Sequence, residues 1–517
     1  MIYKNKKEES GASLNVAVLC ENDALLPLTQ WGCWLSGQTY VPLSNKLSSE
    51  ELNYIVKDSK ARLILASSHN EIIAKKCTEL FDIPLIIIDH NFIPEHDFSS
   101  SFLEKILLAV GDNVVLEGTL NNDFYTSSIA MLIYDTKKDL KPKGCIITHK
   151  NLQSRINIIC KAWNYKQNDY LLNLLPSDYS AHSVHSMMCL LNVGGKVSFY
   201  SDLSHIWSTL LSVNQPTKDR PNILTALPST YIKIIHEYDK IFSEDSRIAE
   251  YIKTYCTQNF RLMISGPQPL SMNIFHHWYK ITGHKILRHY EMPETGPVIS
   301  NPYVEDKEQK RYHNSVGFQL PQTNVCIVNS EGEKLMESIF DFKDLDSVEI
   351  QKCSPKLFKN LEGEPLVGEL QVSGSTVFKG YFNLSGNKYF KNNYFKTGVI
   401  VSFKNGIFEL LGHSEDDVIK SAGRSLSSGD IEILLLSHPH IKDAAVVNVS
   451  HTLWNEKICA LCVPESGVSL DLENVRVFCA KWLPSYMCPD LIQIVPHISR
   501  DCVGNIDKEE LTKLFFL

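Results

Sequence analysis

The stretch NVAVLCENDALLPLTQWGCWLSG, residues 15–37, decides the fold class of this chain. NVAVLC is strand-like, and LLPLTQWGCWLSG after it is predicted to be a helix that ends at Gly37. The next segment, SSEELNYIVKDS, begins with the serine cap Ser48 and has Leu52, Ile55 and Val56 at helical spacing. Further strand candidates are ARLILAS (61–67), PLIIID (84–89), AMLIYD (130–135), KVSFYS (196–201), NILTALP (222–228), RLMISG (261–266) and HKILRHY (284–290). Strands that alternate with helices predict an α/β fold.

The pattern changes after about Gly363 to shorter strands with turns: GELQVSG, YFKTGVIVSF and GIFELLGH. A charged segment without strong periodicity, SEDDVIKSAGRS, then predicts a hinge or interdomain loop. Beyond it, DIEILLLSH, AAVVNVS, KICALCVPE and LENVRVFCAKWL predict a compact α+β block. We therefore expect a large N-terminal domain over 1–412, a hinge and post-hinge loop over 413–425, and a small C-terminal domain over 426–517.

Composition excludes several classes of function. A chain of 517 residues is too long for one ordinary hydrophobic core, which agrees with two domains. The net charge of −8 and the lack of a basic stripe argue against a nucleic-acid partner. The apolar runs are far shorter than the roughly 20 residues of a membrane span. The first residues have the character of neither a signal peptide nor a transit peptide.

The cysteines indicate an intracellular protein. There are 14 of them, spread without paired spacing, which is typical of reduced thiols rather than a disulfide framework. Cys459 and Cys462 form a Cys-x-x-Cys pair within a predicted strand, KICALCVPE. Because side chains alternate along a strand, the two thiols are expected to point to opposite faces, as core cysteines rather than a redox or zinc pair.

Seven motifs then follow one another in a definite order. They are KPKGCIITHKNL (141–152), RLMISG (261–266), ITGHKILRHYEMPETG (281–296), NSVGFQLP (314–321), GELQVSGSTVFKGYFN (368–383), YFKTG (394–398) and DDVIKSAGRSLSSGDIE (416–432). This series resembles the adenylate-forming acyl-CoA synthetases, and the resemblance runs from about Asn15 to the C-terminus. An ordered series is far more specific than any single motif. It implies the acyl-CoA synthetase fold, with a large AMP-binding α/β domain and a small mobile α+β domain.

Within that family the chain is most similar to the malonyl-CoA synthetases, through ILTALPSTYIKIIHEYDKIF (223–242), the ITGHKIL segment and SNPY (300–303). The resemblance implies that a carboxylic acid and CoA are the partners, and that ATP and Mg²⁺ are required. The acid attacks the α-phosphate of ATP to give an acyl-adenylate, and CoA then displaces AMP. Mitochondrial residence is implied by the resemblance alone. Family members begin several tens of residues earlier, so the opening strands of the first subdomain are expected to be missing.

The phosphate loop departs from the family pattern. The family's YTSGTTG, a variable residue and PKG align here with YDTKKDLKPKG (134–144), in which Lys137 and Leu140 replace two glycines. Glycine permits backbone conformations that other residues enter only with strain. Lys143 remains as a point charge for a phosphate. An ordinary exposed loop between a strand and a helix is the alternative interpretation.

Other positions on the ATP side are partly kept. Tyr290 matches the adenine-stacking tyrosine and Glu294 the magnesium-binding glutamate, for which a hinge or surface carboxylate is the alternative. The glycine between them is Glu291 and the phosphate-contacting threonine is Pro293, which has no hydroxyl.

Three further positions are lost. The ribose-binding aspartate, after Thr397 and Gly398, is Val399, and the arginine that follows is His413. The catalytic lysine aligns with Asn505, whose neutral amide supplies much less stabilisation than an ammonium group.

The acyl and CoA sides are better kept. Arg261 is a candidate to hold the distal carboxylate of a dicarboxylic acid, with a structural arginine as an equal alternative. Ser265 and Gly266 keep part of the acyl-pocket turn. Lys420 and Gly423 match the loop that lines the pantetheine tunnel. His182 and His185 are spaced as metal ligands but have no third ligand nearby.

Three functions remain open from the sequence. The chain is an active acid–thiol ligase of the malonyl-CoA synthetase type with an atypical ATP site, or a pseudoenzyme that binds acyl-CoA, CoA or a nucleotide without turnover. The third is a non-catalytic interaction partner of an intact paralogue. Because the losses fall in four separate segments that all bear on ATP, they favour weak or lost adenylation.

Overall fold

A computed structural model gives the fold of most of the chain. The described residues are 13–21, 23–45, 47–89, 125, 127–135, 142–175, 187–200, 203, 205–212, 215–216, 219–266, 270, 272–305, 310–312, 315–340, 355–358, 364–384, 388–412, 418–421, 424–436, 438–451, 455–465, 467–483, 485–498 and 508–514. They divide into two compact units, one within 1–155, 176–185 and 378–385, the other within 156–175, 186–377 and 386–517. The boundary predicted at 413–425 differs from this division and stays a prediction.

The first unit contains a six-stranded sheet in the order β4-β3-β1-β2-β5-β6 among its described residues. Neighbouring strands are parallel except β5 and β6, which are antiparallel. The strands are β1 (Asn15–Leu19), β2 (Thr39–Pro42), β3 (Leu63–Ser67), β4 (Leu85–Ile88), β5 (Ile129–Asp135) and β6 (Lys143–Thr148). Helices α1 (Leu25–Leu35), α2 (Ser49–Asp58) and α3 (Glu71–Phe81) connect them. The strand–helix alternation predicted from residues 15–67 is confirmed.

Two helix ends in this unit show how local sequence decides structure. Ser48 accepts a hydrogen bond from the Glu51 amide, and the Glu51 carboxylate accepts one from the Ser48 amide, which closes a capping box and confirms the predicted cap. Helix α1 ends at Leu35, two residues before the predicted end at Gly37. Gly37 has φ +69°, a left-handed conformation that glycine adopts without strain and that stops the helix.

A second, seven-stranded sheet has the order β13-β12-β11-β10-β9-β7-β8 among the described residues. Its strands are β7 (Tyr170–Asn173), β8 (Lys196–Phe199), β9 (Ile223–Ala226), β10 (Leu262–Ser265), β11 (Leu287–Met292), β12 (Gly296–Ser300) and β13 (Phe318–Gln319). From β8 to β11 all neighbours are parallel, and β12 and β13 are antiparallel. The helices are α4 (His149–Ala162, which begins in the first unit), α5 (Ile206–Leu211), α6 (Pro228–Ile241), α7 (Ser246–Asn259) and α8 (Met272–Thr282).

In a third sheet, every pair of neighbouring strands that the structure describes is antiparallel. Its order is β16-β15-β14-β17-β19-β18, with β20 paired to β19. The strands are β14 (Thr323–Val328), β15 (Lys334–Ser338), β16 (Lys356–Leu357), β17 (Leu366–Gly374), β18 (Phe390–Lys391), β19 (Tyr394–Lys404) and β20 (Ile407–Gly412).

The C-terminal block is α+β, as predicted. Its sheet has the order β22-β21-β24-β23, with β25 parallel to β24. The elements are β21 (Val418–Ser421), β22 (Arg424–Ser427), α9 (Ser428–Leu436), β23 (Ile441–His451), β24 (Asn455–Pro464), α10 (Leu472–Trp482), β25 (Leu491–Ile494) and α11 (Lys508–Lys513). The segment predicted as an irregular loop therefore contains a hairpin, β21–β22, which also pairs with β24 through Ser421 and Asn455.

The Cys459–Cys462 pair is divided between two cores. Cys459 packs with Ala445, Val447 and Leu461, whereas Cys462 packs in a different cluster of buried side chains. Burial raises the pKa of the Cys459 thiol to about 11 and that of Cys462 to about 12. The prediction that the two thiols point apart as core cysteines is confirmed. Within the described residues, every helix is too short or too polar to cross a membrane.

Candidate active site

The candidate site lies at the carboxyl edge of the parallel part of the second sheet. Ligands of α/β sheets bind beyond the carboxyl ends of the strands. Asn173 ends β7 and Ser265 ends β10, and the register pairs Ser265 with Arg288 of β11. The chain after Arg288 carries His289, Tyr290 and Glu291 across the same edge. Sheet topology therefore gathers here three segments that are far apart in sequence.

Several buried polar atoms at this edge have no hydrogen-bond partner among the described residues. They are Nδ2 of Asn173, Oγ of Ser265, Nδ1 of His289 and the hydroxyl of Tyr290. In folded proteins most buried polar groups are paired, so such a concentration needs a ligand or water as partner. This edge is therefore our candidate binding site.

Tyr290 of β11 and Glu294, two residues after the end of β11, lie close together, and their roles in a nucleotide site stay a prediction. Both are buried, with 3% and 1% of their surface exposed. Burial raises the pKa of the Tyr290 phenol well above its usual range, and the charge of Glu294 raises it further, so the phenol is neutral at physiological pH. The pairing of β11 with β12 is irregular between Tyr290 and Glu291. Such bulges are frequent beside active sites because they redirect side chains.

His289 and Glu291 project from the same face of β11 and were not predicted to act together. His289 Nε2 lies 3.4 Å from Glu291 Oε1, and both residues are buried. The imidazole packs edge-on against Trp163, with ring centroids 5.1 Å apart. On its other side the ring leaves no room for a side chain at Gly266. The residue that the sequence analysis treated only as a lost glycine, Glu291, thus forms a buried pair next to the predicted acyl pocket.

Arg261 makes contacts that favour the structural one of its two interpretations. Its Nε donates to Asp169 Oδ1 at 2.7 Å and its Nη2 to Asp169 Oδ2 at 2.5 Å. Its Nη1 donates to the Trp163 carbonyl at 3.1 Å. The guanidinium also lies over the rings of Tyr165 and Tyr303. All three guanidinium nitrogens are engaged, so the substrate role of Arg261 stays a prediction that would require these bonds to rearrange.

The predicted ribose anchor is packed into the third sheet. The Thr397 hydroxyl donates to the Leu370 carbonyl at 2.6 Å and accepts from the Val399 amide at 3.0 Å. Both Thr397 and Val399 are buried. Nothing at Val399 can accept a hydrogen bond from a ribose hydroxyl except its backbone carbonyl.

Lys143 belongs to the first unit, where its ammonium lies 5.4 Å from the centroid of the Tyr381 ring. It opens β6 and pairs in register with Asp135. The preceding loop, 136–141, lies outside the described residues, as do His182, His185, His413, Gly423 and Asn505. Only the backbone of Lys420 is described, in β21 opposite Ser425.

Lys508, three residues beyond Asn505, is held by two side-chain contacts. Its ammonium donates to Ser428 Oγ at 2.6 Å and lies 3.6 Å from Glu432 Oε1. These contacts tie α11 to α9. The Lys508 ammonium could move to another site only if both contacts broke.

Comparison with known proteins identifies the family. The sequence pattern of AMP-binding enzymes matches residues 9–382, and that of the AMP-binding enzyme C-terminal domain matches residues 430–504. The chain belongs to the AMP-binding enzyme family.

Several relatives of this AMP-binding enzyme are malonate–CoA ligases. The mitochondrial malonate–CoA ligase of Homo sapiens is 29% identical, over 97% of this chain and 83% of the relative. The mitochondrial malonate–CoA ligase of Bos taurus is 28% identical, over 97% of this chain and 81% of the relative. The malonate–CoA ligase of Arabidopsis thaliana is 25% identical, over 99% of this chain and 80% of the relative.

Solved structures confirm the adenylate-forming acyl-CoA synthetase fold. ATP-bound MatB from Rhodopseudomonas palustris superposes with a TM-score of 0.66 at 20% identity, over 98% of this chain and 89% of that one. A malonyl-CoA ligase in complex with methylmalonyl-CoA and AMP gives a TM-score of 0.58 at 22% identity, over 94% of this chain and 90% of that one.

Proposed function

We propose that this chain is an acid–thiol ligase that joins a small carboxylic acid to CoA, and that its adenylation half-reaction is strongly reduced. Membership of the AMP-binding enzymes and similarity to malonate–CoA ligases support the ligase class. The observation that carries the second part is Val399, a buried apolar side chain at the position where the resemblance implies a ribose-binding aspartate.

The nucleotide side is weakened at several places for separate physical reasons. Val399 provides no charged acceptor for the ribose, and the Thr397 hydroxyl is already bonded within the sheet. Pro293 has no hydroxyl for the α-phosphate. In sequence, Asn505 stands where the resemblance implies a lysine, whose ammonium would offset the charge of the reacting carboxylate and phosphate. Loss of one such preorganised group typically lowers the rate roughly 100- to 1,000-fold.

The residues that remain still fit ATP and Mg²⁺ in part. Mg²⁺ takes one or two protein carboxylates and fills its other positions with phosphate oxygens and water. Glu294, buried beside Tyr290, is the carboxylate of this site that fits such a role. When bound, the ion would neutralise charge on the phosphates. By the resemblance, the Tyr290 ring would stack on the adenine, so slow turnover rather than none is the expected outcome.

A pseudoenzyme is the second candidate, and the contacts of Lys508 favour it. Because this ammonium is bonded to Ser428 and Glu432, it does not compensate for Asn505. In that case the chain would bind CoA, acyl-CoA or a nucleotide without turnover, or serve as a partner of an intact paralogue.

The mitochondrial names of relatives also lead us to propose an intracellular, mitochondrial location, which a fluorescent fusion followed by imaging would test.

Acid-dependent ATP–pyrophosphate exchange tests the proposal. The assay is run on the full chain with malonate and with short monocarboxylic acids, beside Asn505→Lys. We expect slow exchange by the native chain and at least a tenfold gain in the variant. Exchange by the native chain at rates ordinary for an enzyme would refute impaired adenylation. If both proteins are silent, a thermal shift with CoA or ATP would support the pseudoenzyme, and no shift with either would leave only the interaction role.

A further inference from the structure

Cys160 and Cys189 are two free thiols in mutual contact, although 29 residues separate them in sequence. Cys160 lies on α4, and Cys189 lies on the helical residues 187–192. Cys160 Sγ donates a hydrogen bond to the Cys189 carbonyl at 3.4 Å. Cys189 Sγ donates to the Ile156 carbonyl, one turn before Cys160 on α4, at 3.8 Å. The two side chains are also hydrogen-bonded to each other, so both sulfurs lie at one contact between the two helical segments.

The two thiols differ in their exposure and in their acidity. Cys160 is partly exposed, whereas Cys189 is fully buried. The hydrogen bond with the Cys189 side chain lowers the pKa of the Cys160 thiol, and one with Asn192 lowers it further. Burial raises the pKa of the Cys189 thiol well above its usual range. Because the thiolate is the form that attacks a disulfide, Cys160 is the attacking member of the pair and Cys189 is its buried neighbour.

The other described cysteines lack this combination. Cys488 is also partly exposed, but burial raises the pKa of its thiol. Cys20 and Cys33 are neighbours too, since the charge of Cys20 raises the pKa of Cys33, but both are buried and both have a pKa raised to about 12. Redox-responsive cysteines are accessible, have a low pKa and lie next to a second cysteine that can resolve them. Among the cysteines that the structure describes, Cys160 meets all three conditions.

The pair also lies close to the candidate active site. The negative charge of Glu291 on β11 adds to the rise in the pKa of the Cys189 thiol. Charges interact over short distances inside a protein, so this contribution indicates that Cys189 is near Glu291. A covalent bond between Cys160 and Cys189 would therefore tie α4 to a segment that borders the site.

We propose that Cys160 and Cys189 form a reversible thiol–disulfide pair that responds to low-molecular-weight disulfides. The Cys160 thiolate attacks one sulfur of the small disulfide, which gives a mixed disulfide and releases the first small thiol with the Cys160 proton. Cys189 Sγ then attacks Cys160 Sγ, closes the protein disulfide and releases the second small thiol, which takes the Cys189 proton. The two cysteines lose two electrons and the small disulfide gains them. An excess of small thiol reverses both steps, as is typical of transient disulfides in intracellular proteins.

Oxidation of the native full chain by glutathione disulfide tests this pair, and it requires no ligase activity. The protein is trapped with N-ethylmaleimide, digested without reduction and analysed by peptide mass spectrometry. We expect a linked peptide pair that carries Cys160 and Cys189 and that dithiothreitol opens. Cys20 and Cys33 should stay reduced, and Cys488 should react roughly tenfold more slowly than Cys160, because its pKa is raised.

Cys189→Ser separates attack from resolution. In this variant Cys160 should accumulate as the mixed disulfide with glutathione, because no second thiol displaces it. Cys488→Ser is the matched control and should leave the yield of the Cys160–Cys189 link unchanged.

Two results with the native chain would overturn the inference, whether or not the variants fold. One is a Cys160 thiol that reacts no faster than Cys488. The other is a persistent mixed disulfide at Cys160 without a link to Cys189. Either result would leave the proposed ligase function standing, since that function does not depend on these thiols.

Discussion

Replacement of Arg261 by methionine should destabilise the second unit, because the structure makes this side chain a clamp. The change removes two bonds to Asp169 and one to the Trp163 carbonyl. Breaking a buried ion pair by removing one partner costs about 3–5 kcal/mol, because the other charge stays buried. Asp169 keeps hydrogen bonds from the Lys166 amide at 2.6 Å and from Asn222 at 3.2 Å, so the lower end, about 3 kcal/mol, applies.

Urea unfolding followed by tryptophan fluorescence measures this loss, since Trp163 lies next to the clamp. Asp169→Asn combined with Arg261→Met should be destabilised by less than the sum of the single changes, because no charge is then left unpaired. Lys196→Met is the matched control: Lys196 and Asp219 form an exposed pair at 2.9 Å, whose loss costs less than about 1 kcal/mol. A loss below about 1 kcal/mol for Arg261→Met, together with loss of acid binding, would refute the clamp and restore Arg261 as a substrate residue.

Three further predictions concern the fold. Ser48→Ala should cost about 1 kcal/mol, because it opens the capping box with Glu51; an unchanged urea midpoint would contradict this. Burial lowers the pKa of His149 to about 4, and this ring, in contact with Trp34 and Tyr125, is half-buried. As the pH falls, the unfolded chain binds a proton at His149 before the folded chain does. The free energy of unfolding should therefore decrease between pH 6.5 and 4, by about 1–2 kcal/mol after allowance for the partial exposure of the ring. His149→Phe should flatten this pH dependence, which thermal melts across the range would measure. The buried thiols of Cys459 and Cys462 should resist iodoacetamide until the protein is unfolded, and their rapid labelling in the native state would contradict the packing described.

The sequence predicted those parts of the fold that local patterns specify. Apolar strands such as β1 and β3, the cap at Ser48, and the opposite faces of Cys459 and Cys462 all follow from short-range spacing. The β21–β22 hairpin was missed, because one of its strands also depends on pairing between Ser421 and Asn455, which no local pattern records.

The sequence predicted only some residues of the candidate site. Tyr290 and Glu294 were placed by motif, and the structure buries them together. Asp169, 92 residues from Arg261, carries no signal in the sequence that marks it as a partner. His289 and Glu291 did carry a sequence signal, since residues two apart on a strand share a face. That signal could be interpreted only after the structure showed Trp163 and Gly266 beside His289.

The most direct test of the account compares the two half-reactions of the same protein. Adenylation is measured as single-turnover formation of acyl-adenylate from ATP and acid, and thioester formation as consumption of a supplied acyl-adenylate by CoA. We propose that Val399, Pro293 and Asn505 all weaken the ATP side, and we therefore predict that adenylation is at least 100-fold slower than thioester formation, the lower end of the effect of one lost preorganised group. Adenylation as fast as thioester formation would contradict the account.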